Sequence, residues 1–337
     1  MRWLLAVIAV AVASLAPASA FAWNDTGHMT IALIAYRQLD DVTRQKVDAV
    51  LKQHPHYELF LTKYVPDGVT PAEWAFIRAA TWPDFVRPSR PGTAGETFKG
   101  SEITRFHRGP WHYIDMPWVP YADRKTIDPS TRPAPPPATP ATQPANVLEA
   151  LDENAKLLAA AQTPPQDKAV ALAWVEHLIG DVHQPLHACT VYSNQYPDGD
   201  KGGNAEAVRA GGGLVVNLHA FWDESLGTSD TYDAINFLAD EITHDPQLRP
   251  EQLAELANDR AFKSWADESH AYAVAFAYLN GRLRTTPYAE YESKETSAQQ
   301  VMALPVGYEG NARALAKRRV AAAGYRLAEQ VRSALKD

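Results

Sequence analysis

The sequence contains almost no cysteine. Cys189 is the single cysteine in 337 residues, so the chain can form no intrachain disulfide. A zinc site built from several thiolates is excluded for the same reason. Any metal site must therefore be built mainly from nitrogen and oxygen ligands.

An excess of positive charge is also missing. Lys and Arg total 32 against 40 Asp and Glu, a formal net charge of −8. This balance disfavours a protein that holds duplex nucleic acid by bulk charge alone. It remains compatible with an enzyme whose positive charge comes from bound metal ions.

Long apolar runs are confined to the beginning of the chain. The run over residues 3–15 is shorter than the ~20 residues that span a bilayer. Arg2 precedes it, and Ala20 and Ala22 are the small residues that a signal peptidase reads. We expect a signal peptide over residues 1–22, with an uncleaved anchor as the alternative.

Cleavage after Ala22 would make Trp23 the first residue of a mature chain over residues 23–337. No later stretch is apolar and long enough for a membrane anchor, so the mature protein is expected to be periplasmic or secreted. Without disulfides, such a protein depends on core packing or on metal for its stability.

Helical periodicity dominates the rest of the chain, with no repeat and no domain boundary. Gly-rich residues 195–217 predict a hairpin or loop with a short strand at 214–216, and Pro-rich residues 129–144 predict a surface loop. We predict a mainly α protein, one helical bundle over 23–337. Its predicted helices cover residues 26–52, 73–82, 147–161, 168–183, 218–226, 251–283 and 311–335.

Two polar pairs stand out in apolar helices. His177 and Asp181 are four residues apart, and so are His219 and Asp223, so each pair shares one helix face. One such pair has a simple alternative explanation, a His–Asp hydrogen bond inside the core. Two pairs, with His187 close to the first, instead indicate metal. A donor set of His and carboxylate without thiolate suits zinc better than manganese or iron.

His28, Asp84 and His112 each have an ordinary explanation when taken alone. Together with the pairs above they form a pattern that resembles the S1/P1 nuclease family of zinc-dependent enzymes. The pieces occur in the family's order along essentially the whole mature chain. They are W-N-D-T-G-H, T-W-P-D-F-V-R, W-H-Y-I-D, E-H-L-I-G-D-V-H-Q-P-L-H, G-G-N and N-L-H-A-F-W-D.

The resemblance implies a helical bundle of the phospholipase C/P1 nuclease type with three zinc ions in one cleft. The implied ligands of the first zinc are Asp84, His112, His177 and Asp181. Those of the second are His187, His219 and Asp223. Those of the third are the amino group and carbonyl of Trp23, His28, and Asp181 as a bridge.

The resemblance also implies an endonuclease on single-stranded DNA and RNA that leaves 5′-phosphorylated products, with 3′-nucleotidase activity on nucleotides. Asp84 and Asp181 would be catalytic through the metals, with water between the first and third zinc attacking phosphorus and the second zinc stabilising the leaving oxygen. Arg87 matches a family arginine near the phosphate and would stabilise transition-state charge. We expect a monomer.

Substrate binding is expected to involve Tyr113, Asp115 and Asn204. Tyr113 matches the family's base-stacking aromatic, and Asp115 would accept hydrogen bonds from the base edge. A stacked base must be out of a duplex, which favours single strands. Asn204 would contact the phosphate or shape the site. The alternatives are an ordinary core aromatic for Tyr113 and a surface salt bridge for Arg87.

Two other functions would share part of this pattern. A zinc-dependent phospholipase C shares the helical fold and a similar tri-zinc site, but it typically has Glu where Asp223 stands. A non-catalytic exported zinc-binding protein would have no use for Arg87 together with the Tyr113–Asp115 pair.

In lacking disulfides, the chain resembles the bacterial members of the family. The segment 85–111 and the loop at 129–144 look enlarged relative to compact members.

Overall fold

The structure, a computed structural model, describes residues 23–88, 100–131, 144–257 and 261–336, and these residues are mainly helical. The α-helices are α1 (Asp25–Gln38), α2 (Asp41–Leu51), α3 (Pro71–Ala79), α4 (Trp82–Phe85), α5 (Ser101–Thr104), α6 (Val147–Ala159), α7 (Pro165–His183), α8 (Leu218–Asp223), α9 (Tyr232–His244), α10 (Ala254–Ala257), α11 (Phe262–Tyr272), α12 (Tyr288–Glu292) and α13 (Tyr308–Ala334). The strands are β1 (Pro117–Trp118), β2 (Thr190–Val191), β3 (Glu206–Arg209), β4 (Val215–Asn217) and β5 (Thr286–Pro287).

Helix α7 is the centre of the bundle. Every residue from Ala171 to His183 is buried, as expected for a helix that is apolar on almost all sides. It packs against α6, α13, α11 and α1. Helix α1 is buried from Thr26 to Ala35. The crossing of these two buried helices therefore lies deep in the core.

Small sheets flank the bundle. Strands β1 and β2 pair in parallel, and β3 pairs antiparallel with both β4 and β5. The predicted hairpin is confirmed as β3–β4, although its second strand runs from Val215 to Asn217, one residue later than predicted. Asn217 then caps α8 by accepting from the backbone N–H of Ala220, so the hairpin leads directly into the helix of His219.

Two of the predicted helices are interrupted. The predicted helix 26–52 ends at Gln38 and restarts at Asp41, because the Asp40 carboxylate accepts from the Thr43 backbone N–H at 2.7 Å and caps α2. The predicted helix 251–283 is divided into α10 and α11, followed by a π-helical turn over Ala273–Ala277.

Helix α9 was not predicted, although Ile235, Leu238, Ala239 and Ile242 are buried at helical spacing. The predicted signal peptide lies outside the described residues, and so does most of the Pro-rich loop. Among the helices of the described ranges, none combines the length and apolarity needed to cross a membrane.

Candidate metal centre

The C-terminal half of α7 places His177 and Asp181 beside His112, which ends a 3-10 turn. The Nδ1 atom of His112 lies 2.9 Å from His177 Nε2 and 3.0 Å from Asp181 Oδ2, and those two atoms are 3.3 Å apart. His177 Nδ1 donates to the Ala80 carbonyl at 2.7 Å, which leaves a lone pair on Nε2. One proton on His112 can satisfy only one of its two neighbours, whereas a cation would satisfy all three atoms.

His28 reaches this group from α1. Its ring stacks on that of His177, with centroids 4.0 Å apart, and its Nε2 lies 3.3 Å from Asp181 Oδ1. Gly180 permits this approach, since a Cβ there would lie 2.6 Å from His28 Nδ1. Within the described part of the chain, neither ring nitrogen of His28 forms a hydrogen bond. A fully buried imidazole in that state is costly unless a cation binds it.

Asp84 in α4 and Arg87, two residues after the end of that helix, lie beside this group. Asp84 Oδ1 lies 3.8 Å from His177 Nε2 and 2.7 Å from a terminal nitrogen of Arg87. Burial alone would raise the pKa of Asp84, but Arg87 and the neighbouring histidines outweigh it and hold that pKa below its usual value. Both side chains are only 11% exposed, so the pair belongs to the site and is not a surface salt bridge.

The second group consists of His187, His219 and Asp223. The Nε2 atoms of the two histidines are 3.1 Å apart, and Asp223 Oδ2 lies 3.5 Å from His219 Nε2. His187 Nδ1 donates to the His112 carbonyl at 2.5 Å, and His219 Nδ1 donates to the Gly202 carbonyl at 2.7 Å. Two lone pairs therefore face each other, an arrangement that a metal ion resolves.

The two groups adjoin. The bond from His187 to the His112 carbonyl links them. Burial is the largest cause of the raised pKa of Asp223, and the charges of Asp181 and Asp84 raise that pKa further. Burial, as the largest effect, raises the pKa of Asp181 to about 7. Buried carboxylates with raised pKa values are ionised readily when a cation binds next to them.

The donor chemistry fits zinc. The structure brings together three groups of possible metal ligands, each with its ligand atoms within 4.8 Å of one another. Imidazole and carboxylate donors without thiolate suit zinc, whereas calcium and magnesium prefer oxygen ligands throughout. The groups are His28, Asp84 and His177; His112, His177 and Asp181; and His187, His219 and Asp223. His28 thus lies with Asp84 and His177 as well as with Asp181.

The residues expected to bind substrate lie around this centre. Tyr113 directly follows His112 and is 37% exposed, so it is not an ordinary core aromatic. Asp115 is exposed and accepts a hydrogen bond from Thr190 Oγ1 at 2.6 Å. Asn204 lies on the loop whose Gly202 carbonyl binds His219, and its side-chain amide donates to the Lys201 carbonyl at 2.8 Å.

Trp23 immediately precedes the cap of α1. Asn24 accepts from the Gly27 backbone N–H, and its own backbone N–H donates to the Asp223 carbonyl at 3.4 Å. The Trp23 side chain is fully buried. The segment that begins at Trp23 is therefore tied both to the helix of His28 and to the second group.

Sequence reasoning missed Gln184 and Asp25. Gln184 donates to Asp223 Oδ1 at 2.7 Å and so orients a predicted ligand. Burial, with the charge of Asp84, raises the pKa of Asp25 to about 6, which puts this carboxyl near the first group. Its position three residues before His28, on the same helix face, was a usable signal.

A buried ionic network behind α7 was also missed. Arg319 donates to the His183 carbonyl at 3.2 Å, and Arg326 donates to His183 Nε2 at 2.8 Å. Both arginines also bind Glu268, at 2.9 and 2.7 Å. The network therefore holds the end of α7 between Asp181 and His187.

Five histidines have no place in the sequence pattern, and exposure to solvent is the prediction from sequence for each: His54, His56, His107, His244 and His270. The expectation was wrong for His54 and His56, which are 4% and 6% exposed. His56 Nδ1 accepts from the Trp82 indole N–H at 2.9 Å. That bond anchors the start of α4, the helix that presents Asp84.

Glu176 is a buried carboxyl that takes no part in the centre. It is fully buried, and neither of its oxygens has a hydrogen-bond partner among the described residues. Its burial raises its pKa well above the usual value. We expect Glu176→Leu to increase the free energy of unfolding by about 1–3 kcal/mol, since it removes an unsatisfied buried polar group. Urea denaturation of the variant and the wild type measures this.

The increase in the free energy of unfolding caused by Glu176→Leu should grow as the pH rises. Below the ordinary value of 4.5, Glu176 is protonated in both folded and unfolded chains; above it, only the folded chain keeps the proton, so wild-type stability falls. Glu153→Leu, at an exposed position of α6, is the control and should change stability by less than about 0.5 kcal/mol. A loss of stability in Glu176→Leu would contradict the prediction.

The comparisons with known proteins agree with this geometry. A model of the S1/P1 nuclease family, described as "S1/P1 Nuclease", matches residues 23–336. No curated protein matches the chain. Because the match covers nearly the whole chain, including every residue of the centre, the chain belongs to the S1/P1 nuclease family, a family of metal-dependent hydrolases that cleave phosphodiester bonds of nucleic acids.

Proposed function

We propose that the chain is a zinc-dependent endonuclease on single-stranded DNA and RNA that leaves 5′-phosphorylated products and has 3′-nucleotidase activity. The observation that carries this proposal is the convergence of eight buried or nearly buried His and Asp side chains on one centre, with Tyr113 exposed beside it.

Three zinc ions are the proposed cofactors. Asp84, His112, His177 and Asp181 would hold the first, and His187, His219 and Asp223 the second. His28, Asp181 and the amino group and carbonyl of Trp23 would hold the third. Support comes from the lone pairs of His187 and His219 that face each other, from the close approach of His112 and His177, and from the ring nitrogens of His28, which form no hydrogen bond within the described part of the chain. When bound, zinc would supply Lewis acidity that activates water for attack on phosphorus and stabilises the charge that develops.

The protein's own residues would orient the phosphodiester. Arg87 puts a guanidinium next to Asp84 at the first group, where it can bind a phosphate oxygen as negative charge develops. Asn204 would shape the opposite side, next to His219. The Asp84 and Asp181 carboxylates would act through the metals that they hold.

Tyr113 and Asp115 would select a base that is out of the duplex. The exposed Tyr113 ring offers a stacking surface, and Asp115 keeps one carboxylate oxygen clear of its bond to Thr190. Stacking tolerates sequence because every base has a π-face. Single strands of either sugar type would therefore be substrates.

Export and activation would be one event. The Trp23 amino group is free only after cleavage at Ala22, and its pKa near ~8 makes it a workable ligand once zinc displaces the proton. The family match that begins at residue 23 supports this boundary. The mature protein would work as a monomer in the periplasm or outside the cell.

The test uses mature protein beginning at Trp23, stripped with chelator and reloaded with zinc. It is assayed on a single-stranded oligonucleotide, on the same sequence as a duplex, and on phosphatidylcholine vesicles. We expect zinc-restored cleavage of the single strand to 5′-phosphate ends and no lipid cleavage. Lipid cleavage alone, or no cleavage with three zincs bound, would contradict the proposal.

Tyr113→Ala should reduce kcat/KM on single-stranded oligonucleotides by about 5- to 150-fold, since stacking contributes ~1–3 kcal/mol per base. The loss should be absent with an abasic oligonucleotide, which has no base to stack. The control is Tyr121→Ala, because the Tyr121 ring is also exposed, at 85%. An equal loss on both substrates would mean that Tyr113 supports the centre and does not bind the base.

A further inference from the structure

The loop over residues 199–204, here the glycine loop, holds His219 in place. The Gly202 carbonyl accepts from His219 Nδ1 at 2.7 Å, and the Gly203 carbonyl accepts from the His219 backbone N–H at 3.4 Å. The first bond fixes the ring orientation and leaves the Nε2 lone pair facing His187. The loop backbone therefore determines whether His219 can act as a metal ligand.

The glycine loop needs support from outside its own backbone. Gly202 and Gly203 have φ values of +62° and +81°, which L side chains rarely adopt. A Cβ at Gly202 would also lie 2.6 Å from the Leu186 carbonyl oxygen. Glycine lets the loop take this conformation but does not favour it over others, so other contacts must select it.

Asp200 provides those contacts. Its Oδ1 accepts from the backbone N–H groups of Val191 at 2.7 Å and Gly202 at 3.2 Å, and its Oδ2 accepts from the Gly203 N–H at 2.7 Å. The side chain is fully buried. One carboxylate thus ties both glycines to β2, directly behind the carbonyl that binds His219.

Tyr278 completes the arrangement from the other side. Its hydroxyl donates to Asp200 Oδ2 at 2.5 Å, and its ring stacks on Trp118 with centroids 6.1 Å apart. Glu206 is buried near Asp200, and its burial, together with the charge of Asp200, raises the pKa of Glu206 well above its usual value. Asp200 is therefore surrounded by donors and held as an acceptor.

We propose that Asp200 and Tyr278 are positioning residues for the second metal group: through the Gly202 carbonyl they fix the orientation and tautomer of His219. This inference rests on the proposed function in one respect, that the second group binds zinc. Neither residue touches substrate or metal, and they act only through the glycine loop.

The test measures zinc affinity by chelator competition, with the KM of the zinc-saturated enzyme as a second readout. Asp200→Asn puts a carboxamide N–H₂ against a backbone N–H, and we expect one of the bound zincs to be held 10- to 100-fold more weakly, as is typical when an outer-shell partner of a metal ligand is lost. Tyr278→Phe removes one donor and should weaken the same zinc by about tenfold. The KM of a zinc-saturated variant should stay near that of the wild type.

Tyr196→Phe is the matched control. Tyr196 and Tyr278 line the same cavity of about 320 Å³, but the Tyr196 hydroxyl bonds Thr285 Oγ1 at 3.0 Å, whereas the Tyr278 hydroxyl bonds Asp200. Its loss should leave zinc affinity unchanged. His219→Ala identifies the zinc of the second group, because it should remove that zinc alone.

The outcomes separate the two proposals. If His219→Ala binds as much zinc as the wild type, the second group is not a zinc site, and both the proposed function and this inference fail there. If His219→Ala loses a zinc but Asp200→Asn and Tyr278→Phe keep wild-type affinity, only the positioning role is wrong. Equal drops in Tm with and without zinc would also overturn it, as they indicate a general structural role. If Asp200→Asn does not fold, Tyr278→Phe decides.

Discussion

Stripping all three zincs from the mature protein is expected to lower its Tm by about 20 °C or more and to abolish cleavage of single strands. The ligands come from α1, α4, α7, α8 and two 3-10 turns, so bound metal joins segments that are distant in sequence. Each zinc present at about 1,000 times its Kd stabilises the folded chain by ~4 kcal/mol. For a chain of this size, 1 kcal/mol corresponds to a few degrees in Tm.

The drop in Tm on removal of zinc should be larger at pH 8 than at pH 5. Without metal, the pKa of Asp181 is raised from 3.8 to about 7, so the folded chain keeps a proton that the unfolded chain releases. Its contribution to stability is full below pH 3.8 and is lost as the pH rises toward 7. Protons also compete less with zinc for the histidines at pH 8. The stripped protein therefore weakens with pH while the loaded protein does not.

Differential scanning calorimetry on loaded, stripped and reloaded protein measures this. Zinc should restore the Tm and the activity together. Magnesium at the same concentration should restore neither, because it prefers six oxygen ligands. An unchanged Tm after complete removal of zinc would mean that the fold does not depend on the shared centre.

The ligands of α7 and α8 were predictable because spacing of four residues on one helix is a local property. His177 with Asp181 and His219 with Asp223 needed only helical periodicity. His28 and Asp84 did not follow from spacing, since their positions depend on the crossing of α1 over Gly180 and on the packing of Trp82 against His56. Their prediction depended on resemblance to a family.

The supports of the centre could not be predicted. Arg319 and Arg326 reach His183 from a helix more than a hundred residues away, and Tyr278 reaches Asp200 across a gap of 78 residues. No local periodicity marks such pairs, because they depend on how whole helices dock. The split of the predicted helix 26–52 is different, as Asp40 is a helix cap that the sequence displays but that helical periodicity outweighed.

Asp181→Asn should have the largest effect of any single substitution. Asp181 lies 3.0 Å from His112, 3.3 Å from His177 and 3.3 Å from His28. Asparagine keeps the shape but lacks the charge, and its N–H₂ cannot bind a metal. We expect zinc at the first and third positions to be lost and kcat/KM to fall by about 10³-fold or more.

The stability of the same variant should change in opposite directions with and without metal. With zinc present, Asp181→Asn loses the binding energy of the ions and should melt below the wild type. After stripping, it should melt above the stripped wild type at pH 8, because it buries no group that must ionise. Asp167→Asn, at the exposed start of α7, is the control and should change neither.

Asp181→Asn is thus expected to lower the Tm with zinc and to raise it without zinc. This change of sign distinguishes a metal ligand from a structural carboxylate. Replacing a structural carboxylate would lower the Tm equally with and without zinc, since its hydrogen bonds do not depend on zinc. Asp181 has the opposite character: its buried oxygens face imidazole lone pairs, and Oδ1 has no hydrogen-bond donor in the described part of the chain. Asp181 therefore destabilises the zinc-free protein, whereas the zinc-loaded protein depends on it more than on any other residue. A drop in Tm in both states would contradict this assignment.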